Sequence, residues 1–74
     1  MFRQIMDQKK YNISRLRQYR MRKGVSQTHV AKLLGYRSPS GYANIESGKT
    51  SLTLETALKI ADILNEKVED LFFG

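Results

Sequence analysis

The sequence predicts an all-α domain, a compact bundle of five short helices. Three observations predict it. Apolar residues recur at three- and four-residue intervals through most of residues 13–72. No segment alternates apolar and polar residues as a half-buried strand does. Gly24, Gly35, Gly48 and Asn65 fall where the periodic segments would stop.

Residues 13–23, ISRLRQYRMRK, read as the first helix. Asn12 is its expected N-cap. Ile13, Leu16, Arg20 and Met21 fall on one face by helical spacing. Arg20, Arg22 and Lys23 in the last turn suit the negative end of the helix dipole. Gly24 stops the helix in a left-handed conformation, and Val25 folds back onto it. Residues 26–34 read as the second helix, capped by Ser26. Val30, Ala31 and Leu34 form its inner face, with Leu33 at the edge. Gly35 ends it, and Tyr36 and Arg37 make a turn. Ser38 is the expected cap of the third helix. Pro39 takes its first position, where a missing N–H costs nothing. That helix runs over residues 39–46 and ends at Ser47-Gly48.

Residues 49–52 read as a polar loop. Thr53 is the expected N-cap of the fourth helix, with Glu55 in its positive first turn. Leu54, Ala57, Leu58, Ala61 and Leu64 make an apolar stripe that Ile60 and Ile63 widen. Asn65 is a tolerable left-handed stop. A last short helix over residues 67–72 buries Val68, Leu71 and Phe72. The domain is thus expected over residues 13–74. Residues 1–12 form an N-terminal extension, either a frayed tail or an arm that packs on a partner.

Seventy-four residues make one domain with a modest core. There is no Cys, so neither a disulfide nor a thiolate metal site can form. That fits a reducing compartment. The start, MFRQIMDQKK, lacks the apolar stretch of a signal peptide. No apolar run approaches the ~20 residues that span a bilayer. A cytoplasmic location and no membrane partner are expected.

Charge is more informative. Lys and Arg number 13 against 7 Asp and Glu, for a net charge of +6. Residues 1–49 carry 11 basic and 2 acidic residues, whereas residues 50–74 carry 2 basic and 5 acidic ones. One part of the molecule is suited to a polyanion and the other is not. Nucleic acid and an anionic membrane surface would both satisfy that field, and so would a plain basic surface with no ligand. Catalysis is not expected. His29 is the only histidine and has no partner at metal-ligand spacing. Glu66, Glu69 and Asp70 read as a solvated acidic face. No metal or other cofactor is called for.

The stretch that organises the chain is residues 26–46, SQTHVAKLLGYRSPSGYANIE. It reads as a helix-turn-helix. Ala31 supplies the small residue where two helices cross closely. Gly35 supplies the positive φ of the turn. Tyr42 and Ile45 point inward and hold the second helix rigid. Its other face is short and polar, as a major groove about 12 Å wide requires. Ser40, Gly41, Ala43, Asn44 and Ser47 make that face. Asn44 can pair bidentately with adenine, Ser40 can bond several base edges, and the Ala43 methyl can touch a thymine methyl. The bland alternative is a solvated helix face. Phosphate contacts are expected from Ser26 and Gln27 at the start of helix two, from Arg37 in the turn, and from Lys49, Thr50 and Ser51 after helix three.

The runs LRQYRMRKGVSQTHVAKLLG, YANIESGK and LETALKIADILNEKVEDLF resemble the phage Cro/lambda-repressor-type (XRE-like) helix-turn-helix family. The resemblance covers about residues 13–73. Its motifs are Leu16-x-x-x-Arg20, Ser26-Gln27, Ala31, Leu34-Gly35, Ile45-Glu46-x-Gly48-Lys49 and Leu58-x-Ile60-Ala61. It implies a lambda-repressor-like five-helix fold and a small, bacterial or phage-encoded transcriptional regulator. It also implies sequence-specific double-stranded DNA binding, as a repressor and a homodimer on a palindromic operator. Gln27 matches the family's phosphate- and base-proximal glutamine. Ser40 and Asn44 match its base-contacting positions. Arg20 and Glu46 match its structural salt bridge. Eleven steps separate Gly35 from Glu46, one more than the family's usual ten. The insertion falls in Tyr36-Arg37-Ser38 and leaves the register of the leading edge open. Gly41 inside a helix is also unusual and costs about 1 kcal/mol relative to Ala. It is expected to admit a close approach by the DNA backbone or by helix two. The alternative function is an antitoxin- or antirepressor-type module that binds another protein. The acidic segment 62–70 with Ile63, Phe72 and Phe73 would be its surface, or else the dimer interface.

Overall fold

The computed structural model describes residues 11–73. The expected N-terminal extension therefore lies mostly outside the described residues. Five helical segments follow in order: α1 (Leu16–Arg22), α2 (Gln27–Leu33), α3 (Ser40–Glu46), α4 (Leu54–Leu64) and the π-helical α5 (Glu69–Phe73). There is no strand among the described residues.

α1 starts three residues later than expected. The Asn12 side chain does not cap a helix at Ile13. Its Oδ1 accepts from Ser14 N at 2.8 Å, and Leu16 N donates to Ile13 O at 3.1 Å. These bonds close a turn over residues 12–15, and regular helical bonding begins from Arg15 O. With Ile13 off the helix, Met21 is not on the inner face either. It lies five positions beyond the buried Leu16, well round the cylinder, and is 58% exposed.

α2 is capped by Ser26, whose hydroxyl accepts from His29 N at 3.0 Å. Its end is a Schellman motif. Gly35 stands at φ +86°, with Tyr36 N donating to Ala31 O at 2.9 Å and Gly35 N to Lys32 O at 3.0 Å. Helix three begins at Ser40, one residue late, and Ser38 is not its cap. The Ser38 hydroxyl bonds the Ser40 hydroxyl at 2.7 Å instead. Pro39 is the flanking residue, and its carbonyl accepts the first helical bond from Ala43 N at 2.9 Å.

Thr53 caps α4 by accepting from Thr56 N at 3.1 Å, and Asn65 ends it at φ +54°. Ala57, Ile60, Ala61 and Leu64 are buried along it. The stripe is thus centred on Ile60, and Leu58, expected inside, is 51% exposed. The loop before α4 is not wholly polar. Leu52 is fully buried, and its N–H donates to the Tyr11 hydroxyl at 3.3 Å. Asn12 N donates to Phe72 O at 2.7 Å, so the start of the described chain is joined to its end.

One core joins all five segments. Leu16, Val30, Tyr42, Leu52, Ile60 and Phe72 are among its fully buried members. α2 packs on α3 and α4, and α1 packs on α5. Burying a side chain of this size stabilises by roughly 1.5–3 kcal/mol. α3 is too short to persist alone, so Tyr42 and Ile45 in the core are what hold it as a helix.

Candidate nucleic-acid interface

α3 has two sides with different work. Tyr42 and Ile45 face the core, at 0% and 3% exposure. Ser40, Ala43, Asn44 and Ser47 follow the i, i+3, i+4, i+7 rule and share the opposite edge. Ser40 and Ser47 are exposed, while Ala43 and Asn44 are half-buried. Among the described residues the Asn44 side-chain amide has no hydrogen-bonded partner. The Asn44 carbonyl is heavily used. Lys49 N and Thr50 N donate to it at 2.9 and 3.2 Å, and the Ser47 hydroxyl donates at 3.2 Å. Lys49 and Thr50 are thereby fixed beside the end of α3, with exposed side chains.

The far end of α3 is pinned to α1. Arg20 Nε donates to Glu46 Oε2 at 2.7 Å, and Arg20 Nη2 to Glu46 Oε1 at 3.1 Å. Arg20 Nη1 donates to Val25 O at 2.9 Å. The side chains are 11% and 4% exposed. Gln27 Nε2 donates to Glu46 Oε1 at 3.0 Å, so the carboxylate also ties down the start of α2. An ionised carboxylate can only accept, which turns the amide nitrogen of Gln27 inward and its oxygen away. One carboxylate thus joins three helical segments.

The electrostatics agree. Burial by itself raises the Glu46 pKa, but hydrogen bonds from Arg20 and Gln27, the nearby Tyr42 hydroxyl and the Arg20 charge outweigh it, and the net direction is down. Arg20 is raised, first by its hydrogen bond to Glu46. The Tyr42 hydroxyl is buried beside this pair without a well-formed hydrogen bond. Burial, and then the neighbouring Glu46, push its pKa up.

The leading edge of α3 is built differently. Arg37, Ser38, Pro39 and Ser40 are all exposed. Tyr36 is half-buried, and a Cβ placed on Gly41 would lie 2.9 Å from its Cδ2 and 3.3 Å from its Cγ. The closest approach to Gly41 is thus made by the ring of the turn tyrosine. Sequence reading missed this contact and the Gln27–Glu46 bond. A helical glycine five residues after a bulky aromatic was the available signal for the first. Nothing in the spacing signals the second.

The profile of the helix-turn-helix family matches residues 16–71, which is most of the chain. The chain belongs to the XRE-type helix-turn-helix family. It is similar to two proteins of the archaeon Archaeoglobus fulgidus, each described as an uncharacterized HTH-type transcriptional regulator. One is 37% identical over 59 residues, covering 80% of this chain and 83% of the relative. The other is 34% identical over 59 residues, covering 80% and 82%. In this helix-turn-helix protein α2 and α3 are the motif, and Gly35 is its turn glycine. No helix among the described residues is long and apolar enough to cross a membrane. Nor do three His, Asp or Glu side chains there group to hold a metal.

Proposed function

We propose that this chain binds double-stranded DNA sequence-specifically and acts as a small transcriptional repressor. The observation that carries this reading is the outer edge of α3, where Ser40, Ala43 and Asn44 face away from the core on a helix pinned at its end by Glu46. The relatives' description as transcriptional regulators supports it.

On this reading α3 lies in the major groove. Asn44 reads adenine through its unpartnered amide, Ser40 bonds a neighbouring base edge, and the Ala43 methyl meets a thymine methyl. The remaining N–H and the oxygen of the Gln27 amide face a phosphate or a base edge. Ser26, Arg37, Lys49 and Thr50 hold phosphates on either side. Rigidity matters because a bidentate contact needs both atoms in place at once. The Arg20–Glu46 pair supplies it without touching DNA, and Gln27, bonded to Glu46, carries that rigidity to the DNA-facing edge.

A seven-residue reading helix makes few base contacts. We therefore assign a homodimer on a palindromic operator, with half-sites about one helical turn apart. Leu58 on α4 and Phe73 on α5, 51% and 50% exposed, are candidate members of that interface, as are Met21 and Leu33 at 58% and 57%. Selection from random duplex is the test. An enriched inverted repeat with that spacing supports specific DNA binding by a homodimer. An enriched single site would remove the dimer, and no enrichment would remove DNA binding.

A further inference from the structure

Besides the core packing of Tyr42 and Ile45, the recognition helix is held at two points, and only one of them is the salt bridge. Glu46 holds its end. Its leading turn meets Tyr36, whose ring covers the bare Cα of Gly41. Resting on the DNA reading above, we propose that Tyr36 is a positioning residue. Seated on Gly41, it sets the placement of the leading turn of α3, and so which base Ser40 reads.

Three observations support this. First, Tyr36 belongs mechanically to α2. Its N–H is bonded to Ala31 O within the Schellman turn, so its Cα moves with that helix. Second, the contact is made near the root of the side chain. The 3.3 Å approach is to Cγ, whose position is fixed by the first side-chain torsion alone. The ring cannot clear an added methyl by bending at its tip. It must change rotamer, or α3 must shift. Third, the chain between the two helices offers little other support. Arg37, Ser38 and Pro39 are exposed, and the hydroxyl pair Ser38–Ser40 is local to the turn. Tyr36 thus adds to the packing of Tyr42 a link from the end of α2 to the leading turn of α3.

A glycine at this place is unfavourable for a helix, so its presence calls for a reason. The close seat for the ring supplies one. Asn44 lies three residues on from Gly41 and two before Glu46, which is pinned by Arg20. The two reading positions should therefore respond separately.

The test uses the full chain and selection from random duplex, with fluorescence anisotropy on the wild-type winner. Thermal unfolding is followed alongside. Gly41→Ala is expected to bind that duplex roughly ten-fold or more weakly, the loss of about one base contact. Its selected sequences should change at the base read by Ser40 and keep the base read by Asn44. Tyr36→Phe should behave as wild type, since no hydroxyl bond is invoked. Tyr36→Ala should remain folded and lose preference at the same base as Gly41→Ala. Adding Tyr36→Ala to Gly41→Ala should leave affinity and preference at the level of Tyr36→Ala alone, because the ring that the methyl would strike is already gone. Unchanged affinity and sequence for Gly41→Ala would overturn the proposal. So would losses that add in the double variant, or an unaltered preference in Tyr36→Ala, which remains decisive even if Gly41→Ala unfolds. If the wild-type chain enriches no sequence, the DNA reading falls and this proposal falls with it.

Discussion

Replacing Glu46 by alanine removes the acceptor shared by Arg20 and Gln27. The Arg20 guanidinium then sits near the core with one remaining bond, to Val25 O. Removing one partner of a buried pair costs about 3–5 kcal/mol. Arg20 is 11% exposed and keeps that carbonyl, so the lower end applies. A domain of this length holds roughly 4–11 kcal/mol in all. A loss near 3 kcal/mol therefore lowers the melting temperature by about 12–24 °C. Thermal unfolding followed by circular dichroism, at neutral pH and low ionic strength, measures it. The pH dependence gives an independent reading. Glu46 has a depressed folded pKa, so its stabilisation is present above the ordinary carboxylate value and is lost as pH falls through the folded one. Glu46→Ala should flatten the acid limb of the stability curve. Replacing the pair together, as Arg20→Met with Glu46→Leu, should recover much of the loss, because it leaves no stranded charge. A melting temperature for Glu46→Ala within about 5 °C of wild type, near 1 kcal/mol, would refute the reasoning.

Other outcomes follow from the same geometry. Asn44→Ala should cost about 1–3 kcal/mol on the selected duplex and relax preference at one base pair, by anisotropy. Its melting temperature should stay near that of wild type, since only the Asn44 carbonyl bears structural bonds. Lys49→Ala and Arg37→Ala should each reduce the slope of log K against log salt by about 0.9 and leave the selected sequence unchanged. Thr53→Ala removes the acceptor for Thr56 N and should cost about 1 kcal/mol. That is a fall of about 4–8 °C in melting temperature, with sequence preference intact.

Much of the fold was legible because its stops are local chemistry. Ser26 and Thr53 cap the helices they precede, and Gly35 and Asn65 take positive φ where helices end. These features depend on a few neighbouring residues, which a sequence displays. What was less legible depends on partners distant in the chain. Leu52 looked like part of a polar loop, yet it fills the core and meets Tyr11. Met21 and Leu58 have plausible helical spacing, but the neighbours that choose the inner face left both outside. At the interface, Gln27 is tied to Glu46 through a fold that spacing alone does not describe. The turn before α3 was the hardest part. There Tyr36 lies on Gly41, a contact that depends on how α2 and α3 cross.

The central claim is that α3 enters duplex DNA with a basic face around it. A salt titration of wild-type protein on its selected duplex, beside a random one, tests it most directly. Log K is expected to fall linearly with log salt, by about 0.9 for each phosphate contacted, with the selected duplex tighter throughout. Affinity weaker than about 10⁻⁴ M for both duplexes at low salt would contradict it.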